Sequence, residues 1–156
     1  MPEGIFKNGI NLYRRADTRR ELAARHGLDP SKPWVITAAM MREDRAKLPS
    51  YQLLAAALRL LPDQPHEHLI VGGGTAEAAV RNSFAGLSHS HFLGPQSAID
   101  TARIMAAGDL FAWPALNEAY GLASLEAQAS GLPVVAGWTA GLANMVRDGE
   151  TGILTT

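Results

Sequence analysis

The sequence has no cysteine and very little lysine. Without cysteine, a disulfide scaffold and a thiolate metal site are both excluded. Three lysines, Lys7, Lys32 and Lys47, stand among eleven arginines. A site that requires a lysine ammonium therefore has few candidates.

Long apolar runs and an excess of charge of one sign are also missing. No run approaches the roughly 20 apolar residues needed to span a bilayer, and residues 1–4 lack the charged-then-apolar pattern of a signal peptide. The formal net charge of -1 provides no basic field for nucleic acid or an anionic membrane. The 156 residues therefore predict one cytoplasmic domain with no membrane span and no nucleic-acid partner.

What the sequence does contain is a regular alternation of short apolar strands and helices. Strands are predicted at residues 34–38, 68–71, 91–93, 109–113, 134–136 and 152–154. Helices are predicted at 18–26 with Asp17 as cap, from Ser50 onward with Leu54, Leu58 and Leu61 on one face, and at 75–84, 99–106, 122–130 and 142–146. This alternation predicts an α/β fold, a Rossmann-like parallel sheet with helices on both faces.

Ligands of such sheets bind at the carboxyl ends of the strands, where the strand order reverses. The loop at 114–121 carries Glu118, and Glu126 follows eight positions later, just past the first turn of the next helix. Helical side chains lean toward the helix N-terminus, so Glu126 can point into the space that the loop encloses. The free N–H groups after Gly121 favour an anion in the same space. A phosphorylated polyol such as a nucleotide sugar fits this combination, although each glutamate alone is more often a solvated or capping acid.

A second constellation follows the first core strand. Arg42 lies at the end of that strand and Lys47 just before the next helix. A guanidinium and an ammonium in one loop can both reach a diphosphate. Neutralisation by Glu43 and Asp44 in a solvated loop is the simpler interpretation of such charges, but it suits Lys47 poorly, because no other lysine lies beyond residue 32.

At these two places the sequence resembles a known family. Glu118 to Glu126 is similar to the E-x7-E motif of retaining glycosyltransferases of family 4, which have two facing Rossmann-like domains (the GT-B fold). The stretches 131–136 and 148–152 resemble the family's G-x-P-V-V-A and D-G-x-x-G motifs, and 8–11 resembles its N-G-I/V-D opening. Arg42 and Lys47 have the five-residue spacing of its G-R-x4-K-G loop, although Met41 and Leu48 replace the two glycines.

The resemblance implies a catalytic role for three residues. Arg42 and Lys47 would bind the donor diphosphate and stabilise the charge that develops on it. Glu118 would contact hydroxyls of the transferred sugar. The reaction would move a sugar from a nucleotide-diphosphate sugar to an acceptor with retention of anomeric configuration.

The resemblance also implies the remaining contacts of the donor. The backbone around Tyr120, Gly121 and Leu122 would hold phosphate, Glu126 would accept hydrogen bonds from the ribose, and the loop at Gly94 would line the base. We expect no metal and no other cofactor, because no Asp-x-Asp motif is present to hold a divalent cation on the diphosphate.

The domain organisation follows from the same resemblance. Residues 1–156 would be the C-terminal, donor-binding half of the enzyme, with 1–11 as the tail of the interdomain connection. An acceptor glycan or lipid would bind through the absent N-terminal domain, which could also place the enzyme at a membrane surface. The isolated domain would be inactive.

Three alternatives stay open. A dinucleotide-dependent oxidoreductase is disfavoured because Glu77 stands at the third glycine position after Gly72 and Gly74. A pyridoxal-phosphate phosphorylase of similar architecture needs a Schiff-base lysine, for which Lys47 is poorly placed. A non-catalytic nucleotide-sugar-binding module is the strongest alternative.

Two further features favour structural roles. The histidine pairs at 66–68 and 89–91 precede their strands, at the end away from the predicted site, so no metal site is predicted there. Trp113 is predicted to belong to the core.

Overall fold

The computed structural model describes residues 14–61 and 63–156, which form a six-stranded sheet flanked by helices. The predicted connection at residues 1–11 lies outside the described residues. The strands are β1 Trp34–Ala38, β2 Glu67–Val71, β3 Ser90–Gly94, β4 Leu110–Trp113, β5 Val134–Gly137 and β6 Gly152–Thr155. The helices are α1 Arg15–His26, α2 Lys47–Leu60, α3 Glu77–Ser83, α4 Ala98–Ala107, α5 Leu122–Ala129 and α6 Ala140–Ala143.

All six strands run parallel in the order β3-β2-β1-β4-β5-β6. Helix α4 packs against α1 and α5, and α2 packs against α3, so two helical layers cover the sheet. The predicted Rossmann-like α/β fold is confirmed. The strand order reverses between β1 and β4, and the loops after these two strands lie on either side of the reversal.

Helix α1 is attached to the rest of the domain through Asp109. Arg15 and Arg19 contact the two carboxylate oxygens of Asp109 at 2.8 and 2.9 Å. The backbone N–H of Trp34 also donates to this carboxylate at 2.8 Å, and the Arg19 guanidinium lies 4.2 Å from the centroid of the Trp34 ring. Burial alone raises the pKa of Asp109, but the Trp34 amide and the two guanidiniums outweigh it and lower the pKa.

The predicted starts of α1 and α2 were wrong. Helix α1 begins at Arg15, and Asp17 lies in its first turn, paired with Arg20 instead of capping the helix. Helix α2 begins at Lys47 and not at Ser50, because the Asp44 carboxylate accepts hydrogen bonds from the N–H groups of Ala46 and Lys47 at 2.9 and 2.6 Å.

Two other local predictions also differ from the structure. Helix α6 covers Ala140–Ala143, earlier than predicted, because Thr139 Oγ1 accepts from the Leu142 N–H at 3.2 Å. Leu61 was expected on the buried face of α2, but it follows the helix as an exposed residue. Among the helices that the structure describes, none has the length and apolar character needed to cross a bilayer.

Candidate functional site

The centre of the candidate site is an ion pair between the first residue of α2 and the loop that follows β4. Lys47 Nζ lies 3.0 Å from Oε1 and 2.9 Å from Oε2 of Glu118. The two side chains are 20% and 18% exposed, so the pair is mostly buried but still accessible to solvent. The sequence predicted both residues for one site, and the structure brings them into direct contact.

Two further hydrogen bonds connect the β4–α5 loop with the β1–α2 loop and with helix α2. Asn117 Nδ2 donates to the Arg45 carbonyl at 2.9 Å, and the Leu116 N–H donates to Ser50 Oγ at 2.9 Å. Ser50 is fully buried in α2, so its hydroxyl is a fixed acceptor. These two hydrogen bonds join the β4–α5 loop to residues 45–50 and so fix the relative position of Lys47 and Glu118.

The β4–α5 loop contains unusual backbone conformations. Ala115 and Asn117 have positive φ values of 59° and 54°. Non-glycine residues adopt this region rarely, and such conformations concentrate at functional sites where surrounding contacts hold them. Here Gly137 supplies one such contact: its N–H donates to the Pro114 carbonyl at 3.0 Å, and a Cβ at Gly137 would lie 2.1 Å from that oxygen.

Helix α5 begins directly after this loop, at the predicted phosphate-binding backbone. Its N-cap is Gly121, in the left-handed region at φ 66°, and Gly121 provides no side chain to cap the first amides. A Cβ there would lie 2.5 Å from Leu142 Cδ2, and a Cβ at Gly141 would lie 2.3 Å from the Ala119 carbonyl. Tyr120 and Leu122, on either side of Gly121, are exposed. The amide dipoles at this end favour an anion.

Among the described residues, Arg42 makes no hydrogen bond to the Lys47–Glu118 ion pair. It is exposed in the β1–α2 loop, and its Nη2 lies 2.9 Å from Met40 Sδ. Within the described part of the chain its guanidinium makes no ion pair with a carboxylate. Arg42 therefore lies in the loop that leads into Lys47, and within the described residues the two side chains share no common partner.

The glycine run after β2 has a packing function. A Cβ at Gly72 would lie 2.0 Å from the Ala39 carbonyl oxygen, and one at Gly74 would lie 2.4 Å from the Met41 carbonyl oxygen. The Met41 N–H donates to the Gly73 carbonyl at 3.0 Å. These glycines therefore let the β2–α3 loop approach the β1–α2 loop. Gly94 ends β3 with φ 74°, and its carbonyl accepts from the Gly72 N–H at 3.0 Å.

Glu126 occupies a different setting from Glu118. Its exposed side chain lines a cavity of about 120 Å³ between α5 and α4, with Thr101, Met105 and Ser130 among the other lining residues. The sequence indicated that Glu126 points into the space enclosed by the β4–α5 loop. The structure places it beside α4, so the two glutamates flank the N-terminal half of α5.

Comparison with known proteins identifies the family at this point. Residues 32–156 match the family model described as "Glycosyl transferases group 1". The chain belongs to this glycosyltransferase family. The resemblance seen in the sequence is thereby confirmed at the level of group 1 glycosyltransferases.

Curated relatives carry the name D-inositol 3-phosphate glycosyltransferase. The protein from Rhodococcus erythropolis is 36% identical over an alignment of 155 positions, which covers 93% of this chain and 34% of the relative. The protein from Mycobacterium sp. (strain KMS) is 43% identical over an alignment of 136 positions, which covers 82% of this chain and 30% of the relative. The chain thus spans about a third of the length of the curated relatives it matches.

Solved structures agree with the fold. A sucrose-phosphate synthase from Thermosynechococcus elongatus has a TM-score of 0.72 at 27% identity, covering 94% of this chain and 37% of that one. The catalytic domain of starch synthase IV from Arabidopsis thaliana, bound to ADP and acarbose, has a TM-score of 0.70 at 21% identity, covering 89% and 29%. The second likeness bears on the fold alone.

The histidines lie at the opposite end of the sheet. His68 is fully buried, with Nε2 2.9 Å from Thr37 Oγ1, and His91 Nε2 lies 2.5 Å from Glu67 Oε2. Burial lowers the pKa of His68 to about 3. Among residues 14–61 and 63–156, no cluster of three histidine or acidic side chains could hold a metal ion.

A larger cavity was not expected from the sequence. It measures about 470 Å³ and is lined in part by Lys32, Arg59, His66 and His89. It lies at the amino ends of β2 and β3, away from the ion pair. No motif indicated it, because its lining residues come from separate segments of the chain.

Proposed function

We propose that this chain is the donor-binding domain of a retaining glycosyltransferase of family 4 and that it binds a nucleotide-diphosphate sugar at the carboxyl ends of β1 and β4. One observation carries the proposal: the ammonium of Lys47 and the carboxylate of Glu118 lie within a hydrogen bond of each other, beside the uncapped N-terminus of α5. A cation and helix amides suit phosphate, and a carboxylate suits sugar hydroxyls.

The chemical step follows from these groups. The bond between the anomeric carbon and the β-phosphate oxygen breaks, and an acceptor oxygen bonds to the same face of that carbon. Negative charge accumulates on the departing diphosphate, where Lys47, Arg42 and the α5 amides stabilise it. The acceptor hydroxyl gives its proton to the leaving phosphate, because no described residue is placed as an obvious general base.

The rest of the donor occupies the neighbouring loops in this proposal. Glu126 binds the ribose, the loop at Gly94 lines the base, and the backbone of Tyr120, Gly121 and Leu122 contacts phosphate. Arg42 turns from Met40 to the diphosphate when the donor binds. No metal or other cofactor is required, because the two cations and the helix terminus neutralise the phosphates.

The complete enzyme has two domains in this proposal, with this chain as the C-terminal half. The acceptor binds through the N-terminal half, which also determines any contact with a membrane surface. The names of the curated relatives make inositol 3-phosphate one acceptor to test beside glycans and lipids.

Ligand-induced stabilisation tests the binding function. UDP, GDP and ADP, each with a sugar conjugate, are added to the chain with and without EDTA, and the melting temperature is measured in both conditions. One nucleotide family should raise it, because binding to the folded state alone stabilises that state. Absence of any shift, or a shift that EDTA abolishes, would contradict the proposed metal-independent donor site.

Two glutamine variants distinguish residues that bind the transferred sugar from residues that bind the nucleotide. Glu126→Gln should weaken the bare diphosphate and the sugar conjugate alike, because the ribose is common to both. Glu118→Gln should weaken only the sugar conjugate. An equal loss for both ligands in Glu118→Gln would assign that carboxylate a structural function.

A further inference from the structure

Trp113, the last residue of β4, is held rigidly beside the ion pair. Its side chain is 3% exposed, and its ring meets the Tyr51 ring edge-on, with centroids 4.8 Å apart and planes at 74°. Tyr51 is itself fully buried and donates its hydroxyl to the Ala39 carbonyl at 2.7 Å. The indole therefore has one orientation, set by the core on the β1 side.

The single polar group of this indole is directed at Glu118. A tryptophan can only donate through Nε1, and a buried indole N–H needs an acceptor. Here Nε1 lies 3.3 Å from Glu118 Oε2, and Lys47 Nζ lies 5.8 Å from the ring centroid. The two carboxylate oxygens therefore differ: within the described residues, Oε2 contacts Lys47 and Trp113, whereas Oε1 contacts Lys47 alone.

We propose that Trp113 is a positioning residue for sugar recognition, an inference that rests on the proposed function. When a diphosphate draws the Lys47 ammonium toward itself, Oε2 of Glu118 stays on the indole N–H. Oε1, which had Lys47 as its partner, then faces the hydroxyls of the transferred sugar. The indole thus keeps the carboxylate oriented at the moment when its charged partner is shared with the donor.

Trp113→Phe tests this role because it keeps an aromatic ring against Tyr51 and removes only the N–H donor and the five-membered ring. Calorimetry compares UDP with UDP-glucose, GDP with GDP-mannose and ADP with ADP-glucose, and the pair that binds the parent chain is used. Affinity for the bare diphosphate should stay within about twofold, while affinity for the sugar conjugate falls about tenfold, as expected for one hydrogen bond to a charged group. Equal losses for both ligands, or no loss for either, would overturn the positioning role.

Glu118→Gln distinguishes the failure of this inference from failure of the proposed function. If Glu118→Gln leaves sugar-conjugate affinity unchanged, the proposed assignment of Glu118 fails. If Glu118→Gln lowers that affinity and Trp113→Phe does not, the positioning role alone fails.

A spectroscopic readout covers the case in which Trp113→Phe does not fold. The indole N–H resonance of Trp113 should move upfield in Glu118→Gln, because a neutral amide is a weaker acceptor than a carboxylate. It should hold its position when the bare diphosphate saturates the parent chain. Trp34, whose Nε1 donates to the Asp29 carbonyl at 2.9 Å, provides the reference resonance. An indole N–H chemical shift of Trp113 that is the same in Glu118→Gln and in the parent chain would overturn the inference.

Discussion

At the scale of single residues, the contact between Lys47 and Glu118 has more to do with binding than with folding. Both side chains keep about a fifth of their surface exposed. A pair that is about four-fifths buried has lost much of the hydration of both charges, and this loss offsets much of their mutual attraction. What the contact does provide is a cation and a carboxylate fixed a hydrogen bond apart beside the N-terminus of α5.

Lys47→Ala should therefore weaken binding of the nucleoside diphosphate without unfolding the chain. Loss of one charge-assisted hydrogen bond to phosphate corresponds to about 1.5–3 kcal/mol of binding free energy. Lys32→Ala is the matched control, because Lys32 Nζ lies 3.9 Å from Glu67 Oε1 at the amino end of the sheet and is similarly exposed. Calorimetry and urea unfolding on both variants check this. Similar affinities in the two variants would remove Lys47 from the diphosphate site.

The sequence indicated most of the residues of the site but not their partners. Lys47 and Glu118 were identified because each follows a predicted strand, and such strand ends converge on one edge of the sheet. Trp113 was expected in the core and lies there, yet the direction of its N–H depends on a ring orientation that Tyr51 sets. Ser50 was predicted to begin α2, but it lies inside that helix, and its hydroxyl accepts from the Leu116 N–H, 66 residues away. Contacts of that separation leave no local pattern.

At the scale of elements, one glycine determines how α5 and α6 meet. Gly121 begins α5 in a left-handed conformation, with Leu142 of α6 directly against the space that a Cβ would fill. Leu142 is fully buried and has little room to move. The position of the α5 N-terminus, and of the amides proposed to bind phosphate, therefore depends on the absence of a side chain at one residue.

Gly121→Ala should destabilise the chain and impair nucleotide binding. Gly27→Ala is the control, because Gly27 has nearly the same φ, 67° against 66°, and open space around its Cβ position. Both variants should lose about 1–2 kcal/mol from the left-handed conformation. Gly121→Ala should lose a further ~1–3 kcal/mol through crowding of Leu142. Urea unfolding measures the free energy of unfolding of both variants. Equal losses would show that Leu142 makes room for the added Cβ at no cost in stability.

Strands were predicted more accurately than helices, for a physical reason. Both ends of each of the six strands lie within one residue of the prediction. Buried parallel strands are apolar nearly throughout, and polar or turn residues end them abruptly. Helix starts depend on capping, which nearby side chains supply. With Asp44 accepting from its first amides, α2 begins three residues before its predicted start, and with Thr139 as cap α6 begins two residues before its predicted start.

A buried histidine links the central strands and should make stability depend on pH. Thr37 of β1 donates its hydroxyl proton to the Ala112 carbonyl of β4 and so accepts from His68 Nε2 of β2. This arrangement places a proton on Nε2, and burial of the ring favours the neutral form that carries this proton alone. Burial lowers the pKa of His68 to about 3, so the unfolded chain takes up this proton near pH 6.5 and the folded chain does so only near pH 3.

The contribution of His68 is therefore complete above about pH 6.5 and is lost as the pH falls toward 3. Between pH 7.5 and 5.0 it should decrease by about 2 kcal/mol, at 1.4 kcal/mol per unit below 6.5. Urea unfolding at the two pH values measures the change. His68→Gln should shrink the difference by that amount, since glutamine does not titrate; an unaltered difference would assign the pH dependence to other groups.

At the scale of the whole molecule, the candidate site forms one open surface. The loops after β1, β4 and β5 carry exposed apolar side chains, Met40, Leu116, Tyr120 and Trp138. Apolar surface of this kind commonly marks a contact face. The chain covers only about a third of its curated relatives, so these relatives contain further residues that could stand opposite this surface.

We expect this chain alone to bind donor without transferring sugar. In the proposed two-domain enzyme the acceptor and the donor meet between the domains, and this chain supplies only the donor side. Holding two reactants in contact geometry can lower a barrier by about 7–11 kcal/mol, and a site open to water on the acceptor side forgoes that gain. The purified chain of 156 residues should therefore show nucleotide-induced stabilisation but no acceptor-dependent release of nucleoside diphosphate above the rate without acceptor.

The same assay on a longer protein that contains this domain and its partner domain is the positive control. Turnover by the chain alone at about 1 per second or faster, within the usual range of enzymes, would show that the donor domain carries the complete active site.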